Sequence, residues 1–503
     1  MKKIAFMFGA GAEMSYDLPS GGDFALNIFK QDTTDSKRRF REMRDAVPSN
    51  RSYTRWLHEK YKTKSISAFG RRAYEEIIRG TVEQNRVSII RKLEKFDDLA
   101  GALAQQMQNS GVNVESAFEE VTNQTVEDSY MGADIRFNSI FTERNDTLFA
   151  SHYYSALLIA YKTLKKDTPD VAKELGKVVS AILQLEIGAL GESLVNELNG
   201  GLFDVKDDEL DILDDLGDII HLDYQAVGLS GFEYLLENHE DHLHHAPGII
   251  LAFARRILHS IYASVLDYKT LIDSNWMYLY QPNKEWGKFC RIAIFLLNTQ
   301  AYMNSLLERV DLSRDGYYND IRKAVDAGEV EIIAVGTSNY TDLADTIIGC
   351  PVSHLNGSLS LWYDPYLNRI GSEEEFNNSE RHIIVPLLFT QSGTKPMISI
   401  EMSKQYVQYY DALCQADEIC VIGFGFNADD EHINGMFREL IDKQNKNVTI
   451  IRRQDSDNDV KTKNEIARQL KVANTDNITV IKVDDNRNRN GINWLRTVLS
   501  IPI

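Results

Sequence analysis

The chain opens MKKIAFMFGAGAEMSYDLPSGG, in which a short apolar run ends at Gly9, Ala10, Gly11 and Ala12. Glycines at the end of a strand let backbone approach a pyrophosphate closely, and a following helix offers unpaired N–H groups and partial positive charge. A turn needed only for packing explains the same residues equally well, and the third glycine of a GxGxxG spacing is missing. A second segment, Leu18-Pro19-Ser20-Gly21-Gly22, follows at once. Far downstream, Gly336-Thr337-Ser338-Asn339-Tyr340-Thr341-Asp342 closes another apolar run. An asparagine there can hold a ribose hydroxyl or position a water, because its amide both donates and accepts; a helix cap or Asx turn is the plainer use. His354 and Asn356 precede Gly357, and two residues that far apart on an extended strand face the same side. Histidine can act as a base at neutral pH and asparagine cannot; a buried, merely hydrogen-bonded histidine is the competing reading.

A third cluster is the hydrophobic run ending in Gly423 and Gly425, followed by Asp429, Asp430, Glu431, His432 and Asn434. Acids at a helix start suit its dipole and caps, so no metal is expected here. Four closely spaced histidines, His239, His242, His244 and His245, match no metal-ligand spacing and read as a solvated loop. The acidic run at residues 204–218 reads as a solvated face.

The elements that carry these clusters are β-rich runs at residues 4–8, 330–335, 383–388, 418–422, 448–451 and 478–483. Strands alternating with helical stretches argue for a parallel sheet, and the isolated strand at 4–8 completes the distant one. Between them the period becomes helical: Val171, Leu175, Val178, Ile182 and Leu185 fall on one face, as do Ile250, Ala254, Ile257, Ile261 and Val265. The expectation is an α/β, Rossmann-like sheet made from residues 1–30 and 328–503, split by a large, mostly α-helical insertion at 31–327.

With 503 residues, 43% hydrophobic and 26% charged, the chain is long enough for two or three domains. A net charge of -19 argues against a nucleic-acid partner, which needs clustered Lys and Arg. Four cysteines without a CxxC pair exclude a structural zinc module and suit a reducing cytoplasm. No stretch reads as a membrane span, and the opening apolar run is too short for a secretory core.

The three glycine- and asparagine-bearing clusters, in this order, resemble the sirtuin family and, more closely, the SIR2-like domains of bacterial anti-phage defence proteins. Gly9, Ala10, Gly11 and Ala12 are similar to the family's GAG opening, and Leu18, Pro19, Ser20 and Gly21 to its second loop. Thr337, Asn339 and Asp342 resemble its T-x-N-x-D segment, and Gly423, Gly425 and Asp429 its pocket-lining loop. Glu13 stands where the family has serine, and Asn356 stands directly before Gly357 where it has histidine. The resemblance implies NAD as substrate, with Gly9, Ala10, Gly11, Ala12, Pro19, Ser20, Thr337, Asp342, Gly423, Gly425 and Asp429 around it. It assigns catalysis to Asn339, with His354 and Asn356 competing for the second role.

The missing His-Gly pair argues against a deacylase or ADP-ribosyltransferase. The expected activity is NAD glycohydrolysis to nicotinamide and ADP-ribose, depleting NAD during infection. A non-catalytic NAD or ADP-ribose-binding module, assembling with a partner such as an ATPase, is the alternative. Homo-oligomers and a partner defence protein are the implied contacts, and the insertion would carry oligomerisation, sensing or partner binding.

Overall fold

The computed structural model describes residues 2–19, 21–129, 148, 150–191, 227–377, 381–390, 399–454, 458–473 and 475–500. Ser20 and the acidic run at 204–218 lie outside the described residues. The chain divides into two compact units. One comprises Met1–Phe24, Gln31–Ala68 and Leu271–Ile503, the other Ala25–Lys30 and Phe69–Thr270. Residues 31–68 and 271–327 thus group with the sheet, and residues 25–30 with the helical unit.

The first unit contains strands β1 (Lys2–Phe8), β2 (Val330–Thr337), β3 (Ser353–His354), β4 (Gly357–Asp364), β5 (Arg369–Gly371), β6 (Val385–Leu388), β7 (Glu418–Ile422), β8 (Val448–Arg453) and β9 (Ile478–Val483). Six of them form one sheet in the order β3-β2-β1-β7-β8-β9, every pair parallel. Counted among these six alone, the order is 3-2-1-4-5-6, the doubly wound Rossmann arrangement. Its topological switch point falls between β1 and β7, and ligands of such sheets bind beyond the carboxyl ends of the strands at that point.

β1 is the hinge of the layout because it is the central strand. Residues 4–8 are all buried, as expected of a parallel strand covered on both faces. Ile4, Phe6 and Phe8 pack with Tyr318, Ile321, Trp494 and Val498 on one face. On the other, the Tyr409 hydroxyl donates to the Phe6 carbonyl at 2.8 Å. At the amino ends, the Lys2 ammonium lies 3.4 Å from the buried Glu418 carboxylate. At the carboxyl ends, the two glycine loops touch backbone to backbone: the Gly9 N–H donates to the Ile422 carbonyl and the Gly11 N–H to the Gly423 carbonyl, each at 3.0 Å.

Residues 383–388 do not join the parallel sheet. β6 pairs antiparallel with β4, and β4 with β5, in a separate three-stranded sheet. An apolar run states that a strand is buried but not which edge it pairs with. Here the partner β4 lies close in sequence, so loop closure favours it. A helix follows the glycine loop at Gly21–Lys30, with Asp23 inside its first turn. A four-residue helix, Ala10–Glu13, intervenes and was not signalled.

Every regular element among the second unit's described residues is a helix. Its central helix, Pro169–Leu190, buries Leu175, Val178, Ile182 and Leu185, and helix Ala246–Val265 buries Ile250, Ala254, Ile257, Ile261 and Val265. Both stripes are core. Helix Ala246–Val265 is the one described helix long and apolar enough to cross a bilayer, and most of it is buried within the protein. Within the histidine-rich segment, His245 caps that helix by accepting from the Gly248 N–H at 3.0 Å.

The contact between the loops gives a direct test. Gly423 has φ +66°, and a Cβ there would strike the Ala12 amide and the Gly11 backbone. Gly423→Ala is expected to cost several kcal/mol by combining left-handed strain with a backbone clash. Gly435, in helix Glu431–Asp442, has open space, so Gly435→Ala should stabilise by roughly 1 kcal/mol. Denaturant midpoints of the two variants against the parent check both signs.

Candidate functional site

The carboxyl ends of β1, β2, β3 and β7 bring the sequence-derived residues to one end of the sheet. From Ala5 and Ala334, past an irregularity in the pairing, β1 and β2 run in register to Phe8 and Thr337, and the next N–H, that of Ser338, donates to the Phe8 carbonyl at 3.0 Å. The Thr337 hydroxyl then accepts from the Asn339 N–H at 3.0 Å, turning the chain so that Asn339 faces the first glycine loop. Its side chain is buried, and Nδ2 donates to the Gly9 carbonyl at 3.1 Å and to the Tyr318 hydroxyl at 3.4 Å. A carbonyl only accepts, so the Gly9 contact fixes which end of the amide is nitrogen. Oδ1 is therefore the atom through which Asn339 would meet a water or a sugar hydroxyl.

Beneath Asn339 lies Glu13, a residue that sequence reasoning noted only as a departure from serine. It is buried at the end of helix Ala10–Glu13. Oε1 accepts from the Tyr318 hydroxyl at 3.1 Å and from the Thr341 hydroxyl at 2.5 Å. Burial raises its pKa from the ordinary 4.5 to about 7, with the Thr341, Tyr318 and Asn339 hydrogen bonds and the His354 charge holding it from going higher. Tyr318 itself is pinned between rings, edge-on to Phe8 at 4.8 Å and stacked on Tyr16 at 5.3 Å. An acid within the otherwise apolar and small GAGAEM run was the available signal for Glu13. Nothing in the sequence links it to Tyr318, some three hundred positions away.

His354 and Asn356 part company. β3 ends at His354, the chain turns at residues 355 and 356, and β4 starts at Gly357 with φ +81°. The expectation that the two share a strand face is therefore not met, because they do not lie on one extended segment. His354 turns toward Asp345, with Nε2 at 2.9 Å from its carboxylate and 3.8 Å from that of Asp342. Its Nδ1 is buried near the Asn339 backbone without a well-formed hydrogen bond. Burial lowers the pKa of His354, but the Asp345 hydrogen bond and charge, with Asp342, more than offset that and leave it above the ordinary value. Asn356 instead donates from Nδ2 to Asp430 at 3.3 Å and accepts from His432 Nε2 at 3.2 Å. It ties the turn after β3 to the segment following β7, beside the ring of Tyr406.

Of the other expected residues, Gly9, Ala12 and Thr337 are buried, Ala10 is exposed, and Gly11, Pro19, Asp342, Gly425 and Asp429 are half-buried. The space a Cβ would need at Gly9 and Gly11 is filled by the backbone of residues 423 and 424, so these glycines serve loop-to-loop contact. The nearest atoms that a Cβ at Gly425 would meet are those of the Asn427 side chain. Phe426 is buried with φ +53°, an uncommon conformation for a bulky residue, and its carbonyl accepts from Asn434 Nδ2 at 3.3 Å. Asp342 precedes helix Leu343–Ile348, and burial raises its pKa. Among the described residues, Asp342, Asp345 and His354 are the one group of acids and histidines whose ligand atoms all lie within 4.8 Å of one another, a donor set that suits a divalent cation. The acids after Gly425 do not form such a group among those residues.

A Rossmann-ordered sheet with polar side chains gathered at its switch point is thus the class of protein that fold and site define. No family model, curated protein or solved structure matches the chain.

The raised pKa of Glu13 has a consequence for stability. Because the folded value lies above the unfolded one, the associated stability is fully present below pH 4.5 and is lost as pH rises through about 7. The loss is on the order of 3 kcal/mol. His354, also raised, acts in the same direction. Denaturation at pH 5 and pH 8 should show the parent losing stability across this interval and Glu13→Gln losing much less; equal slopes would refute the assignment.

Proposed function

We propose that the sheet-bearing unit is a SIR2-like NAD-binding core and that the chain is an NAD glycohydrolase, releasing nicotinamide and ADP-ribose. The observation that carries the reading is the placing of Asn339 beside the first glycine loop, at the switch point of a Rossmann-ordered sheet, with its amide nitrogen held by Gly9 and Tyr318. In that reaction the bond between the ribose carbon and the nicotinamide nitrogen breaks, and the electron pair leaves with nicotinamide. A water then adds to the cationic sugar and gives up a proton. The Asn339 amide oxygen would accept a hydrogen bond from that water or from a ribose hydroxyl, and orientation of this kind supplies much of the barrier lowering.

His354 lies against the Asn339 backbone and would take the proton in its neutral form. Asn356, linked to Asp430 and His432, would fix the far wall of the site. The surrounding residues Gly9, Ala10, Gly11, Ala12, Pro19, Thr337, Asp342, Gly423, Gly425 and Asp429 would contact NAD, with Ser20 as a further contact. The biological reading is an NAD-depleting effector of bacterial anti-phage defence, cytoplasmic, self-associating and working with a partner defence protein.

A second reading, an NAD or ADP-ribose-binding module without turnover, has its own support. Gly9, Gly11 and Gly423 spend their close approach on one another, and a site already tied together in this way suits a resting or regulatory state.

Nicotinamide release by the purified protein decides between them. Asn339→Ala is expected to lower the rate at least a hundredfold while NAD binding weakens far less. His354→Ala should lower it roughly tenfold to a hundredfold, whereas Asn356→Ala should act mainly on NAD affinity. Saturable NAD binding with no release under any condition would favour the regulatory module.

A further inference from the structure

Glu13, Tyr318, Thr341 and Asn339 come from three separate stretches of chain and meet in one buried hydrogen-bonded cluster. The order of donors and acceptors within it is determined by chemistry. Nδ2 of Asn339 donates to the Tyr318 oxygen, so the Tyr318 hydroxyl proton must point elsewhere, and Glu13 Oε1 lies 3.1 Å away to receive it. The Thr341 hydroxyl donates to the same carboxylate oxygen. The groups facing Glu13 are few: Tyr318 from helix Tyr317–Asp326, the Thr341 hydroxyl, the Asn339 amide, and His354 from β3 with Asp345 and Asp342 behind it. Tyr16 stacks on Tyr318, and its hydroxyl donates to Asn319 at 2.7 Å. The Glu13 charge is held by hydrogen bonds and by the nearby imidazole.

We propose that Glu13 and Tyr318 are positioning residues that orient the Asn339 amide, and that the proton held by Glu13 sets whether this amide is aligned for a ligand bearing positive charge at its sugar carbon. This rests on the reading that Asn339 faces the nicotinamide ribose. An ionised Glu13 draws the Tyr318 hydroxyl proton to itself, leaves a lone pair for Asn339 Nδ2, and turns Oδ1 toward the ligand. A protonated Glu13 is itself a donor and competes for the same Tyr318 oxygen, loosening the amide. A cationic pyridinium ribose favours the ionised form electrostatically, so binding it expels the proton from Glu13 and adds a negative charge beneath the developing sugar cation. The burial that holds the Glu13 pKa near 7 places this exchange in the physiological range.

The test uses the full chain labelled with nitrogen-15 at asparagine, the Asn339 side-chain amide signal being assigned by its loss in Asn339→Asp. Without any ligand, the signal is expected to move with one inflection between pH 6 and pH 8 in the parent and in His354→Asn. The inflection should be absent in Glu13→Gln, which retains an acceptor for Tyr318 and Thr341, and the signal should broaden or shift at all pH values in Tyr318→Phe. A pH-independent signal in the parent, or an inflection that survives in Glu13→Gln and vanishes in His354→Asn, would overturn the proposal. Addition of NAD at pH 7 then separates the two ideas. Failure of NAD to perturb the amide counts against the nucleotide reading while the apo titration still judges Glu13. Binding of NAD that releases the same number of protons in the parent and in Glu13→Gln, measured by calorimetry in two buffers of different ionisation enthalpy, counts against the coupling.

Discussion

The carboxyl end of the sheet is organised by the meeting of two loops that have no room for side chains between them. Gly9 and Gly11 after β1 donate to carbonyls at the end of β7, and Gly423, in a left-handed conformation, fills the space their missing Cβ atoms leave. Buried backbone donors must find acceptors, and here they find them across the switch point itself. The contact sets the height at which helix Ala10–Glu13 begins. That in turn sets where Glu13 lies under Asn339.

From this constraint the polar interior follows. A buried carboxyl is costly unless it is neutral or hydrogen-bonded, and Glu13 is served by Tyr318 and Thr341. Tyr318 can serve it because its ring is clamped by Phe8 and Tyr16, the one a residue of the central strand and the other of the turn after helix Ala10–Glu13. Asn339 is then held from both sides, by Gly9 through its nitrogen and by Thr337 through its backbone. The site is stiff because each polar group that orients another is itself oriented by core packing.

Around this centre the remaining charges sort into two groups. His354 with Asp345 and Asp342 forms one, next to the Asn339 backbone. Asn356 with Asp430 and His432 forms the other, linking the turn after β3 to the segment after β7. The two residues stand two apart in sequence yet belong to different groups, since the chain turns between them before Gly357.

Periodicity and apolar runs in the sequence were enough to identify five of the six parallel strands, at 4–8, 330–335, 418–422, 448–451 and 478–483, and the buried stripes of the helices Pro169–Leu190 and Ala246–Val265. Alternation and apolar runs are local consequences of what each element must bury. The glycines and Asn339 were also legible, because turn chemistry and a strand end leave a local trace. Strand pairing was not: residues 383–388 are as apolar as any sheet strand but joined the antiparallel partner close to them. Nor were Glu13, Tyr318 and Asp345 as site residues, since burial and hydrogen bonding between distant segments carry no signature in either segment alone. The sequence by itself determined which elements form and which faces they bury; the tertiary structure decided which polar groups share one buried volume, because only the assembled sheet removes them from water and obliges them to satisfy one another.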